Sequence, residues 1–215
     1  MTPLKAPPRT RRRRTQAERR AATRTALLDA AIDCLVQDGY ASTTTRAIAE
    51  RAGVTPGALQ HHFRSKTELL SEALRRVTIK FAEELLADGP PDAPSLRTRC
   101  ERILDRMWQV HRGRFFQAAM ELSVAARTDP ELRVTLAELQ HGLRALNTHA
   151  ATVLYPEMSE QPGLVELIET GQAATRGVAL LAFVDEAQAD AAWAAVRAHL
   201  IELTAEFIAN AEAAT

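Results

Sequence analysis

The sequence predicts an all-α protein of nine helices without a convincing strand. Three observations favour this class. Alanine is abundant, whereas Gly (9) and Pro (10) are modest for 215 residues. Apolar side chains recur every three or four positions over most of the chain, which is the period of a helix. Capping residues, glycines and prolines separate these periodic stretches, as they do between helices.

The chain begins with a segment that has no apolar pattern. Residues 1–15 contain three prolines and six basic residues, with almost no apolar side chain. Such a composition cannot bury enough surface to fold, so it predicts a disordered basic arm.

Three helices follow the arm. Apolar residues at helical spacing predict the first over residues 16–38, and Gly39 stands where a helix commonly ends. Residues 42–45 can cap the second helix, which Gly53 stops. Thr55-Pro56 is typical of an N-cap followed by the first helical residue, and this third helix ends near residue 63.

Longer helices fill the rest of the chain. Residues 65–68 (Ser-Lys-Thr-Glu) form a capping box that opens a fourth helix, which ends before a Gly-Pro-Pro segment. Residues 128–131 (Thr-Asp-Pro-Glu) form a second box. Further helices are predicted over residues 95–111, 115–127, 128–154, 164–184 and 186–212, with a loop over 155–163. We therefore divide the chain into the arm, a head over residues 16–70 and a body over 71–215.

The net charge of zero conceals an asymmetry. Residues 1–70 hold 13 Lys and Arg against 6 Asp and Glu, and the remaining residues hold 14 against 21. A basic head on an acidic body indicates an anionic partner for the head, with nucleic acid the leading candidate. The alternative for the arginine run, Arg11, Arg12, Arg13 and Arg14, is a solvated terminus.

Other classes find little support in the sequence. No apolar run reaches the roughly 20 residues of a membrane span, and no secretory signal follows the arginines. Cys34 and Cys100 lie far apart without metal-ligand spacing, which indicates reduced thiols in a cytoplasmic protein without a metal or cofactor. No nucleophile–base constellation or phosphate loop favours an enzyme, so catalysis ranks last.

Short helices punctuated by glycine on a basic head indicate a helix-turn-helix DNA reader. The third helix would lie in the major groove, where the small Gly57 and Ala58 permit close approach. Gln60, His61 and His62 can bond to bases or phosphates, and helix N-termini near Thr44 and Lys66 suit phosphates. These positions and their neighbours form the predicted DNA-binding set: Arg11, Arg12, Arg13, Arg14, Thr44, Thr45, Arg46, Thr55, Pro56, Gly57, Ala58, Gln60, His61, His62 and Lys66.

The head also resembles a known family. Gly-Tyr at 39–40, TTTRAIAERAGV at 43–54, Gly-Ala-Leu at 57–59, His-Phe at 62–63, Ser-Lys at 65–66 and Leu-Leu at 69–70 are similar to the TetR (tetracycline repressor) family's DNA-binding domain. The resemblance covers roughly residues 20–70 without a gap. It implies an all-helical homodimer that represses transcription and releases DNA when a small molecule binds its C-terminal domain. Gln60 departs from the family, which usually has tyrosine there, so a relative's operator sequence does not transfer.

The last two predicted helices carry an apolar stripe typical of a dimer interface. The predicted interface set is Leu164, Leu167, Ile168, Gly171, Val178, Trp193, Val196, Leu200, Leu203 and Phe207. The family resemblance implies the same use of these helices. The alternative is that the stripe faces the subunit's own core.

An effector pocket would lie between the helices of the body. Its candidate residues are the densest aromatic and methionine cluster together with three polar neighbours: Met107, Trp108, His111, Phe115, Phe116, Met120, Glu121, Gln172 and Arg176. Plain core packing is the alternative for each of them, and Arg176 in an apolar helix could hold an anion.

The leading hypothesis is a homodimeric repressor that leaves a palindromic double-stranded DNA operator when an unidentified small molecule binds. Such a protein would be cytoplasmic and nucleoid-associated while bound to DNA. The alternative is a non-specific architectural DNA binder that relies on the arginine arm.

Overall fold

The computed structural model describes residues 15–87 and 89–213, with the side chains of 139–144 and 212 left aside. Within these ranges the fold is all-helical, as predicted, with nine α-helices and no strand. The helices are α1 (Gln16–Ser42), α2 (Thr45–Arg51), α3 (Pro56–His62), α4 (Lys66–Leu86), α5 (Leu96–His111), α6 (Arg114–Ala125), α7 (Pro130–Leu154), α8 (Leu164–Leu181) and α9 (Glu186–Ala213).

Side-chain caps set many of these boundaries. The Ser65 hydroxyl accepts a hydrogen bond from the Glu68 amide at 3.0 Å at the start of α4. At the start of α7 the cap is Asp129, which accepts from the Leu132 amide at 3.0 Å. The sequence predicted this cap one residue earlier, at Thr128, whose hydroxyl instead donates to the Ala125 carbonyl.

Two further departures from the predicted boundaries are local. Residues Pro156–Met158, within the predicted loop, form a short 3₁₀ helix that buries Met158. Helix α1 continues to Ser42 because the chain only kinks at Gly39, whose φ of 74° lies in the left-handed region.

The head and the body share helices and part of one core. Helix α4 crosses the predicted boundary at residue 70 without interruption. The core under α1–α3 includes Ala118 and Leu122 of α6 and Leu132 of α7. Helix α6 therefore supports the head while it belongs to the body by sequence.

The rest of the body packs around α5. One cluster joins α5 to α8 and α9, where Trp108 and Trp193 stack with their ring centroids 4.9 Å apart. A second cluster joins α5 and α7 to the start of α8 and includes Tyr155 and Met158 from the segment between α7 and α8. These clusters leave a space beside α4.

Candidate DNA interface and effector cavity

Helix α3 follows a tight turn at Gly53, whose φ is 67°. The Thr55 hydroxyl accepts a hydrogen bond from the Ala58 amide at 3.2 Å and caps the helix. Leu59 and Phe63, 2% and 1% exposed, anchor one side of α3 in the core. Because these two side chains fix the helix on the core, its opposite side faces solvent.

The outer side of α3 is open to solvent. Five of its predicted contact residues are exposed: Thr55, Pro56, Gly57, Gln60 and His61. A Cβ added at Gly57 would meet no atom within 4 Å, so the surface offers no steric barrier there. Ala58 and His62 are half-buried at the edge of this surface. The geometry is that of a short helix able to enter a major groove.

The start of α2 contributes a second exposed group. Thr44, Thr45 and Arg46 are all exposed. The Arg46 Nε donates to the Glu50 carboxylate at 2.9 Å, and both side chains are largely in solvent. Because solvated ion pairs are weak, a phosphate could replace Glu50 as the partner of Arg46.

Lys66 is turned away from the free surface on which the sequence placed it. Its Nζ lies 3.5 Å from the Tyr40 carbonyl oxygen and 4.3 Å from the centroid of the Tyr40 ring. Burial lowers the pKa of Lys66. The carbonyl and the ring face together draw the ammonium group between α1 and α4. The arginine run, Arg11–Arg14, lies outside the described residues.

Arg24 is a head residue that the sequence analysis missed. One guanidinium nitrogen donates to the His62 carbonyl at 3.3 Å, and the guanidinium carbon lies 4.5 Å from the Phe63 ring centroid. Another nitrogen pairs with Glu72 at 3.5 Å. Arg24 thus ties α1 to the end of α3 and to α4. Its position four residues after Arg20, on the same side of α1, was the signal in the sequence, whereas the apolar pattern of this helix lies on its other side.

Basic side chains surround His62. Desolvation lowers the pKa of His62, and the nearby cations of Arg20 and Arg24 lower it further. Its ring is therefore neutral at pH 7 and can donate from one nitrogen and accept at the other. Arg20 is exposed and is a further candidate for phosphate contact.

Tyr40 joins the head to the body. Its hydroxyl donates to Asp129 at 2.8 Å, and its amide donates to the Glu121 carboxylate at 3.0 Å. Burial and the bond to Asp129 raise the pKa of Tyr40 to about 12. Glu121, predicted as an effector contact, is thus placed at this junction because its carboxylate satisfies the amide that follows the kink at Gly39.

The body encloses a cavity of about 120 Å³ between α4, α5, α6, α7 and α8. Five of the predicted effector residues line it: His111, Phe116, Met120, Gln172 and Arg176. Helix α4 adds an apolar wall that includes Leu74, Val77, Phe81 and Leu85. The structure therefore brings together residues from five helices around a mainly apolar space.

His111 is the most deeply buried polar side chain of this cavity. It is 2% exposed, and its Nδ1 donates to the Met107 carbonyl at 2.8 Å. The ring centroid of Phe81 lies 4.8 Å away in an edge-on arrangement, and that of Phe116 lies 5.1 Å away. Burial lowers the pKa of His111 to about 4, so the imidazole is neutral at pH 7.

A short chain of amides fixes another wall. Gln172 donates to the Asn147 side-chain oxygen at 2.9 Å, and Asn147 donates to Glu169 at 3.4 Å. Arg176, on the next turn of α8, is exposed and lines the cavity mouth. Polar groups therefore stand on the α8 side of the cavity, opposite the apolar face of α4.

The remaining predicted effector residues lie elsewhere. Met107 lines a second cavity of about 50 Å³ nearer α9. Trp108 is held against Trp193 by ring stacking. Phe115 packs on the head core, and the Arg114 guanidinium lies 5.2 Å from its ring centroid. Met107 and Trp108 lie about one turn before His111 on α5, nearer α9, and Phe115 of α6 packs towards the head.

The predicted dimer stripe largely faces the subunit's own core. Five members are buried: Leu164, Gly171, Val178, Trp193 and Leu200. Four are half-buried: Leu167, Ile168, Val196 and Phe207. Leu203 alone among the ten is exposed, at 46%. The apolar period therefore marks a side of α9 that packs inside the subunit. This favours packing on the subunit's own core over a dimer interface for these residues.

None of the helices in residues 15–87 and 89–213 has the length and apolar character required to cross a membrane. The same part of the chain contains no cluster of three or more His, Cys, Asp or Glu side chains that could hold a metal ion.

Comparison with known proteins gives a consistent result. Residues 27–73 match the family model for bacterial regulatory proteins of the tetR family. The chain is 34% identical over 177 residues to an uncharacterized HTH-type transcriptional regulator of Mycobacterium tuberculosis (Rv2912c), which covers 77% of this chain and 88% of the relative.

Solved structures share the fold. A putative TetR-family transcriptional regulator from Rhodococcus sp. superposes with a TM-score of 0.64 at 21% identity, over 84% of this chain and 97% of that one. The multidrug binding protein EbrR complexed with ethidium gives 0.57 at 25% identity, over 84% and 98%. The family model, the 34% identical relative and the shared fold agree with the exposed α3 that is anchored in the core. The chain therefore belongs to the TetR family of DNA-binding transcriptional regulators.

Proposed function

We propose that this protein is a homodimeric repressor that binds a palindromic operator and leaves it when a small molecule occupies the cavity of the body. The observation that carries the proposal is the exposed outer side of α3, where Gln60 and His61 stand on a helix anchored by Phe63. One side of α3 is anchored by buried apolar residues, and the other presents hydrogen-bonding side chains to solvent. A helix of this kind can read base edges in a major groove.

A second copy is required because one α3 reads only one half-site. The sides of α8 and α9 that face away from the subunit core support pairing. They expose small or apolar side chains at helical spacing: Ala173, Gly177 and Leu180 on α8, and Ala191, Ala195 and Ala198 on α9. Phe183 and Val184, 51% and 91% exposed, extend this surface between the helices. Such a patch is typical of an interface, and it replaces the predicted stripe in our proposal.

Effector response is supported by the helices that bound the cavity. Helices α4 and α6 line it, and both also pack against α1 in the head. A ligand that favours one arrangement of these helices would change the separation of the two heads and so weaken DNA binding. The fold is shared with EbrR, whose structure holds ethidium. We place the protein in the cytoplasm and, when bound to DNA, on the nucleoid.

The test is selection of bound DNA from a randomised duplex pool at near-physiological salt. We expect a palindromic consensus. Gln60→Ala should relax it at single base positions in each half, since each direct contact carries about 1–3 kcal/mol of discrimination. Gln188→Ala, an exposed glutamine on α9, is the matched control and should leave the consensus unchanged. Bound DNA without a consensus would refute sequence-specific repression.

The architectural alternative depends on the arginine arm and makes a different prediction. It requires steep salt dependence with little sequence preference. Deleting residues 1–14 should then abolish binding. Under our proposal the same deletion weakens binding to all sequences and flattens the salt slope, but the consensus persists.

A further inference from the structure

The cavity contains a hydrogen-bond acceptor to which none of the described side chains donates. His111 Nδ1 faces a carbonyl oxygen, so this nitrogen carries the proton and Nε2 holds a lone pair. The structure shows no donor to Nε2 among the described residues. Thr78 and Ser123, the hydroxyls in the cavity wall, donate to the carbonyls of Leu74 and Ala119 at 3.0 and 2.7 Å. A ligand that fills the cavity must therefore satisfy Nε2 itself.

The volume and wall of the cavity limit what can fill it. A cavity of about 120 Å³ suits a single ring, since an apolar protein cavity of roughly 150 Å³ holds benzene. Phe81 and Phe116 flank His111 on two sides and offer aromatic edges and faces to such a ring. The space is thus suited to an aromatic ring with a hydrogen-bond donor directed at His111.

Charge selects the kind of donor. Arg176 at the cavity mouth carries a permanent positive charge, and it makes no ion pair or hydrogen bond with any described residue. A cationic ammonium donor would be repelled by this guanidinium and would also lose its hydration. A neutral hydroxyl avoids both costs.

We propose that the cavity binds a single-ring phenol whose hydroxyl donates a hydrogen bond to His111 Nε2. This inference rests on the proposed function in taking the cavity as the effector site. It makes His111 a specificity-determining residue, because a site with a buried polar group discriminates strongly against an analogue that leaves the group unpaired.

Phenol and toluene test this assignment because they differ only in a hydroxyl and a methyl group. We would titrate the full-length protein with each and follow its imidazole nitrogens by NMR. Phenol should bind at least about tenfold more tightly than toluene. The Nε2 resonance of His111 should move much further with phenol than with toluene, whose ring acts on it only through space. Equal affinities, or an unchanged Nε2 resonance with phenol, would overturn the proposal.

Two variants separate recognition from structure. His111→Phe keeps an aromatic ring but removes the acceptor, so phenol should lose its advantage over toluene while toluene still binds. His149→Phe, an exposed histidine on α7 outside the cavity, is the matched control and should keep the wild-type preference. Retained phenol preference in His111→Phe would contradict the assignment. If that variant does not fold, the wild-type NMR result decides.

Benzoate provides a further comparison. If benzoate binds more tightly than phenol and the His111 resonance does not respond to either, Arg176 rather than His111 selects the ligand and the proposal fails. All these titrations are made without DNA. If phenol binds through His111 but does not release the selected operator, the inference stands and effector-controlled repression fails. If another molecule releases the operator and phenol does not bind, the reverse holds.

Discussion

The head and the body of this regulator are packed in different ways. In the head, residues such as Leu27, Ile48, Leu59 and Phe63 are almost completely buried and form one continuous core. In the body, helices of similar apolar character leave a cavity beside His111. A DNA reader needs a fixed surface, whereas an effector site needs space. The difference shows how one helical chain can combine a closely packed region with one that keeps an internal space, with α4 and α6 shared between the two regions.

The largest expected effect concerns core packing. Phe63→Ala should lower the free energy of unfolding by about 3–5 kcal/mol, because it empties a fully buried site. Phe81→Ala removes the same side chain from the half-buried cavity wall and should cost about 2 kcal/mol, since that wall already borders empty space. Urea denaturation of both variants measures this. Equal losses of unfolding free energy would contradict the contrast between a fully packed head core and a body that contains a cavity.

The next effect is the pH dependence that His111 adds to the body. Its folded pKa of about 4 lies below the unfolded value of about 6.5, so the unfolded state binds the extra proton between these values. Its contribution, about 3 kcal/mol, is complete above pH 6.5 and is lost as the pH falls towards 4. The unfolding free energy measured from pH 7 to 4 should fall less in His111→Phe than in His149→Phe. Parallel profiles would show that His111 is not desolvated.

A smaller effect is expected from Arg24, which holds α3 in the head. Arg24→Met removes the donor to the His62 carbonyl and the cation beside Phe63. Affinity for the selected operator should fall about fivefold, with unfolding changed little, because the side chain is partly exposed and its ion pair is weak. Fluorescence anisotropy measures the affinity. Arg75→Met, whose guanidinium also pairs with Glu72, is the control and should bind normally.

The smallest effect concerns the junction between the two regions. Tyr40→Phe removes one hydrogen bond to Asp129 and should lower the free energy of unfolding by about 1 kcal/mol. The pKa of Asp129 is lowered mainly by the Leu132 amide and then by the Tyr40 hydroxyl. Its stabilisation is therefore present above about pH 4 and lost as the pH falls through the lower folded value. Tyr40→Phe should reduce that acid-induced loss, and an unchanged acid profile would contradict the coupling.

The sequence by itself determined the helical class, the order of the helices and the position of the short helix α3. These features depend on local chemistry, since Gly53, Thr55 and Ser65 act within a few residues of their own positions. Periodicity also identified the buried side of α9. It could not tell which protein surface covers that side, because a subunit core and a dimer partner select the same apolar residues.

Only the tertiary structure decided how distant residues meet. Glu121 was assigned to the pocket from its neighbours in sequence, but the kink at Gly39 brings the Tyr40 amide to its carboxylate. Arg24 gained its role because α1 crosses the end of α3. The role of His111 Nε2 as an acceptor follows from the tertiary structure, in which Nδ1 donates to the Met107 carbonyl and Phe81 and Phe116 pack against the ring. Such contacts depend on helix packing across many residues, which no local pattern in the chain encodes.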